Sequence, residues 1–212
     1  MKKEPEVKNF RLLCYNWAIK HMSPIEVEKL SDEEILPLVK EDKNFFGVLI
    51  RRYEGRIIGY VKKMGAESQE TAEDMAQNIF IKVYVHINSF KKDLKFSTWL
   101  YGIARNECID YWRKNKKHAC NISIEASEEL MAILKSDEDL SWNMERKGAA
   151  EEVRVAIQKL PQKYRDILIL RFLEDKSYED IAMILKKPVS SVGTLVRRAR
   201  ILFKENISNS KR

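Results

Sequence analysis

Ser190, Thr194, Arg197 and Arg198 recur at three- and four-residue spacing near the C-terminus. Hydroxyls and guanidinium forks in that pattern do hydrogen-bonding and charge chemistry rather than bond-making chemistry. They are the groups that hold phosphates and read base edges in a DNA major groove. No acidic residue between Lys186 and Lys204 offsets them. A second set offers different chemistry. Trp99, Asn106, Asp110 and Arg113 share one face of a predicted helix that ends in Lys114, Lys116 and Lys117. An aromatic that stacks on unpaired bases, beside cations that hold the backbone, suits single-stranded nucleic acid. Each set has a plainer alternative: solvated arginines on a surface helix, and Trp99 as a core residue.

The other chemistries find little support. Three cysteines, Cys14, Cys108 and Cys120, make no paired framework and no CxxC, which reads as reduced intracellular thiols. His21, His86 and His118 are scattered, so no metal site is expected and no cofactor is implied. Asp74 and Asp110 lie on separate predicted helices without a partner signature, so no catalytic residue is assigned. The formal charge is +7 with 39 basic and 32 acidic residues, a balance that suits a polyanionic partner. A charged N-terminus and the lack of a membrane-length apolar run predict a cytoplasmic chain with no membrane insertion.

These side chains need elements to position them. Ser177 stands three residues before Asp180, the spacing of a capping box. Ile181, Ala182 and Leu185 then repeat at helical spacing, and Lys186 and Lys187 end the helix where cations complement its dipole. Pro188 suits the first position of a second helix. There Val192, Leu195, Val196, Ala199, Leu202 and Phe203 form the apolar face opposite the arginines. The result is a helix-turn-helix. With Val153–Leu160 and Lys163–Leu173 it forms a small helical domain over residues 147–207. Residues 31–117 form an earlier helical domain of three or four antiparallel helices. It starts at Ser31-Asp-Glu-Glu and includes the stripe Ala72, Met75, Ala76, Ile79, Phe80, Val83, Ile87. Its last helix, from Phe96 to Lys117, buries Leu100, Ile103, Ala104, Cys108 and Tyr111. Residues 118–146 are acidic and poor in apolar periodicity, and are expected to be an extended or partly disordered linker. Residues 1–30 form a helical extension of unassigned role. Few glycines and prolines, 7 and 5, favour an all-α fold of two small domains.

In this order, three segments resemble the bacterial sigma factors of RNA polymerase, in particular their two-domain extracytoplasmic function (ECF) group. Ala72-Glu-Asp-Met-Ala-Gln-Asn-Ile-Phe80 is similar to the helix that docks on the polymerase clamp helices. Phe96-Ser-Thr-Trp-Leu through Arg113 is similar to the promoter-melting helix. Leu160-Pro-Gln-Lys-Tyr-Arg-Asp through Arg200 is similar to the promoter-recognition domain. The resemblance implies a sigma domain 2-like bundle and a sigma domain 4-like helix-turn-helix. It implies polymerase contact at or beneath Asp74, Gln77, Asn78 and Phe80, with Asn78 standing where the family usually carries an acid. It implies −10 recognition and melting by Lys95, Phe96, Trp99, Asn106, Arg113, Lys114 and Lys117. It implies −35 recognition by Lys187, Ser190, Ser191, Thr194, Arg197 and Arg198. Gly193 and Leu195 replace positions often basic in the family. The implied partners are core RNA polymerase at its clamp helices and flap region, and promoter DNA both as duplex and as melted strand. The N-terminal extension is a candidate surface for an anti-sigma factor.

Two other readings stand beside this one. A dimeric helix-turn-helix regulator would need a palindromic operator and a self-association surface. An enzyme acting on nucleic acid would need a carboxylate cluster or an activated nucleophile.

Overall fold

The computed structural model describes residues 27–91, 94–114, 126–130 and 149–209. Helix is the only regular structure among the described residues, as expected of an all-α chain. Helices α1 (Asp32–Glu41), α2 (Phe46–Lys63), α3 (Gln69–His86) and α4 (Phe96–Lys114) come from the first half. Helices α5 (Ala149–Gln158), α6 (Gln162–Leu168), α7 (Tyr178–Leu185) and α8 (Val189–Asn209) come from the second. The chain groups into two compact units, Met1–Tyr53 and Glu54–Arg212, with the border inside α2.

In the first unit a capping box starts α1. The Ser31 hydroxyl accepts from the Glu34 N–H at 3.3 Å, and the Glu34 carboxylate accepts from the Ser31 N–H at 2.8 Å. Ile35, Leu36, Leu38 and Val39 turn inward. Arg52 donates to the carbonyls of Leu30 (2.8 Å) and Glu28 (3.1 Å) and pairs with Asp32, fixing the turn before α1. Of the helical extension expected over residues 1–30, residues 1–26 lie outside the described residues, and Val27 and Glu28 are helical.

In the second unit Ser68 caps α3, accepting from the Thr71 N–H at 3.0 Å. The predicted stripe Ala72, Met75, Ala76, Ile79, Phe80, Val83 is the buried face, continued by Ile87 in a following 3₁₀ turn. Helix α4 differs from expectation. Its buried line is Phe96, Leu100, Ala104, Cys108 and Trp112, a strict four-residue repeat, with Thr98 and Tyr101 buried beside it. Ile103 and Tyr111 are only partly covered. The physical reason is a second packing face: α4 meets α3 on one side and α7 on another. Tyr101 there stacks edge-on against Tyr60, with centroids 5.1 Å apart.

Helix α8 packs on α5, α6 and α7. The segment expected as one helix from Lys163 to Leu173 is α6 followed by a π-helical turn at Ile169–Leu173. The wider turn lets the Glu174 N–H reach the Ile169 carbonyl at 3.0 Å. Residues 126–130, inside the segment expected to be extended, are helical; Ala126, Ser127 and Leu130 are buried. The acidic stretches on either side lie outside the described residues.

Candidate nucleic-acid interface

Local chemistry builds the helix-turn-helix. The Ser177 hydroxyl accepts from the Asp180 N–H at 3.1 Å and donates to the Asp180 carboxylate at 2.8 Å, which starts α7. Helix α7 stops at Lys186, whose backbone is left-handed with φ 52°. The Lys187 N–H then returns to the Ala182 carbonyl at 2.9 Å, as in a Schellman closure. Pro188 follows, and its carbonyl accepts from the Ser191 N–H at 3.0 Å and from the Ser191 hydroxyl at 2.7 Å. Val192, Val196, Ala199, Phe203 and Ile207 anchor α8. Leu195 and Leu202, expected on that face, sit at its edge and are partly covered. Lys187, Ser190, Thr194, Arg197 and Arg198 are exposed, and Ser191 is partly so. A Cβ at Gly193 would stand 3.5 Å from the Tyr178 ring, an ordinary contact, so packing does not require glycine there.

The α4 surface mixes core and solvent roles. Trp99 is half-buried, its ring 5.3 Å from Phe90 and 6.0 Å from Phe96. Phe96, expected among the DNA-contacting residues, is wholly buried; it can support the Trp99 ring but presents nothing to a ligand. Lys95, Asn106, Arg113 and Lys114 are exposed. Arg113 donates to Asp110 at 3.0 Å. Lys117 lies outside the described residues.

On α3, Asp74, Gln77 and Asn78 are exposed, while Phe80 is 5 % exposed and therefore supports this face from beneath. Ile81 and Val85 are 60 % and 64 % exposed and continue the row from Gln77 at four-residue spacing. The sequence reading did not single them out. Their signal was present as apolar residues outside the core stripe.

The sequence reading also missed a set of cross-domain contacts. Thr98 donates to Asp180 at 2.6 Å, Tyr101 donates to Glu174 at 2.6 Å, and Arg105 donates to Asp166 at 2.6 Å. Lys63 lies 3.3 Å from Glu174 and Lys95 3.8 Å from Asp180. The Lys176 ammonium sits 3.7 Å from the Tyr101 ring centroid. Burial pushes the Asp166 carboxyl up, opposed chiefly by the Arg105 guanidinium. Burial also acts upward on Asp180, but hydrogen bonds from Thr98 and Ser177 outweigh it and hold that carboxyl below its ordinary value. No sequence motif announces such pairs, because even the three hydrogen-bonded ones join residues 61 to 82 positions apart.

Among the described residues no group of three or more His, Cys, Asp or Glu is placed to hold a metal. Among them, too, no helix is long and apolar enough to cross a membrane. The arrangement offers binding chemistry: a basic helix face, a partly exposed indole with cations down the same helix, and a polar-to-apolar row on α3.

Comparison with known proteins identifies the family of both helical segments. Residues 49–118 match the family model Sigma-70 region 2, and residues 150–202 match Sigma-70, region 4. The ECF RNA polymerase sigma factor SigW of Bacillus subtilis is 31 % identical over 190 residues, covering 85 % of this chain and 98 % of that protein. The ECF RNA polymerase sigma-E factor of Escherichia coli strain K12 is 32 % identical over 182 residues, covering 82 % and 92 %. The fold resembles CnrH, solved in complex with the cytosolic domain of CnrY, with TM-score 0.60, 18 % identity, and 84 % and 97 % coverage. It also resembles the sigma factor RpoE of Bartonella quintana, solved with the anti-sigma factor NepR, with TM-score 0.53, 20 % identity, and 77 % and 96 % coverage. Sequence and fold together place this chain in the ECF group of bacterial RNA polymerase sigma factors, proteins of transcription initiation.

Proposed function

We propose that this chain binds core RNA polymerase and directs it to promoters with two recognised elements. Helix α8 reads the upstream, −35-type element in the major groove through Ser190, Ser191, Thr194, Arg197 and Arg198, with Lys187 on the adjoining backbone. Helix α4 meets the −10-type element. Trp99 stacks on an unpaired base, Asn106 hydrogen-bonds, and Lys95, Arg113, Lys114 and Lys117 hold phosphates as the duplex opens. Extruding a base costs a few kcal/mol, offset by the surface that receives it. The α3 row of Asp74, Gln77, Asn78, Ile81 and Val85 docks on the clamp helices, with Phe80 as its floor, while the second domain meets the flap region. The acidic segment 118–146 joins the two domains, which span residues 31–117 and 147–207. An anti-sigma factor is a further partner in this reading, supported by the sigma factor RpoE of similar fold solved with the anti-sigma factor NepR. The cytoplasm is the compartment in which such a subunit works.

The observation that carries this reading is the α8 face. Ser190, Thr194, Arg197 and Arg198 are exposed along one helix, with Ser191 partly so, while its other face is anchored in the domain core. In vitro transcription with core polymerase over a random promoter library tests it directly. Enrichment of two sequence blocks at fixed spacing is the expected result. One palindromic block bound by a stable dimer without polymerase would favour an independent regulator instead.

A further inference from the structure

We propose that Tyr178, Val189 and Gly193 form an apolar notch in the otherwise polar reading face of α8, and that this notch selects thymine, through its 5-methyl group, at one position of the upstream element. The proposal rests on the reading of α8 as the helix that enters the major groove.

Gly193 sits in the middle of that face. Ser190 stands three residues before it and Arg197 four residues after it, and both are exposed. Val189 stands four residues before it, so its side chain belongs to the same side of the helix. Val189 is 46 % exposed. At Gly193 the row of side chains is interrupted, and the nearest atom that a Cβ would meet is Cε2 of the Tyr178 ring, at 3.5 Å. That ring is 38 % exposed. Tyr178 opens α7 directly after the Ser177 cap, and the Arg171 guanidinium lies 5.6 Å from its ring centroid. Arg171 in turn donates to the Lys176 carbonyl at 3.0 Å. The ring is therefore backed by the loop before α7 and forms one wall of the notch.

Ring carbons, valine methyls and a bare backbone Cα attract apolar groups. Of the groups that base pairs display in the major groove, the thymine 5-methyl is the apolar one. A recognition helix presents its N-terminal residues to base edges, and Val189 and Gly193 lie in the first two turns of α8. The hydroxyls of Ser190 and Thr194 and the guanidinium of Arg197 surround the notch, so a methyl seated there has polar partners for the adjoining base edges and phosphates. Glycine inside a helix weakens it relative to alanine. A Cβ fits beside Tyr178 at an ordinary contact distance, so the fold by itself favours the larger residue. What the glycine provides is close approach of another molecule to the backbone.

The test uses the full chain with core polymerase on a promoter that it selects, with each thymine of the upstream block replaced in turn by deoxyuridine. Uracil pairs as thymine does and lacks only the methyl. Competition binding is expected to show a loss of about fourfold at one position, the worth of one buried methyl. In Gly193→Ala the added methyl occupies the notch, and the preference for thymine over uracil at that position is expected to vanish or reverse. The same variant is expected to melt about 2–4 °C higher, because alanine is the better helix former. Higher stability together with lost methyl recognition is a combination that a packing role for Gly193 does not produce. Uniform tolerance of uracil by the wild-type chain would overturn the notch. So would a methyl-sensitive position that Gly193→Ala leaves unchanged. If the chain does not associate with core, the sigma reading fails, and the same uracil scan on the duplex that the free chain selects decides the notch. A chain that selects no duplex at all overturns both.

Discussion

Arg197 and Arg198 are exposed on α8, so a base or phosphate can reach a guanidinium there without any core rearrangement. Replacing either by Ala is expected to cost about 1–3 kcal/mol of promoter affinity if that residue is bidentate to a base. Selectivity should change at one position of the upstream block, as read by competition between promoter variants. Two substitutions that leave promoter choice intact would move the reading face elsewhere. Trp99 is a mixed case, because Phe90 and Phe96 hold one side of its ring. Trp99→Ala should spare closed-complex binding and slow open-complex formation, and a template with a pre-melted bubble should restore the rate. An equal defect on both templates would assign Trp99 to packing alone. These side chains were legible in the sequence, because exposed Arg, Ser, Thr and Trp at helical spacing carry their chemistry with them. Phe96 and Phe80 were legible only as neighbours of a surface: their rings fill the core beneath it.

Helix starts followed the sequence closely. Ser31, Ser68 and Ser177 each accept from a backbone N–H three residues on, as local rules require. Ser177→Ala removes the hydroxyl that starts α7 and contacts Asp180. A loss of about 1 kcal/mol in unfolding free energy is expected, measured by chemical denaturation. Because α7 packs on both α4 and α8, the same variant should also loosen both of those contacts. Unchanged stability would mean that tertiary packing alone fixes the start of α7. The π-turn after α6 and the true buried line of α4 were not legible. Periodicity reports one packing face per helix, whereas α4 has two, so the single predicted stripe leaves out Thr98 and Tyr101.

At the scale of the molecule, residues 54–118 of the first family segment and all of the second lie in one compact unit. A tethered pair of weak sites gains strength only when both can be engaged at once, and a third body that docks one domain raises the local concentration of the other. A mobility-shift assay should therefore show the free chain binding promoter duplex weakly and with little specificity, and core polymerase should restore specific binding. Tight, specific binding by the free chain would contradict the sigma reading.

The sequence by itself determined the local features of this protein: its helices and their caps, the turn between α7 and α8, the apolar anchor of α8, and the basic face that the anchor leaves outward. Each depends on residues within a few positions of one another, where spacing and side-chain chemistry suffice. Only the tertiary structure decided which polar residues of the first domain meet which carboxylates of the second. Thr98 with Asp180, Tyr101 with Glu174 and Arg105 with Asp166 are joined across long stretches of chain. Hydrogen-bond partners at that range are selected by how helices pack in space, and residue order along the chain does not encode that choice in any local pattern.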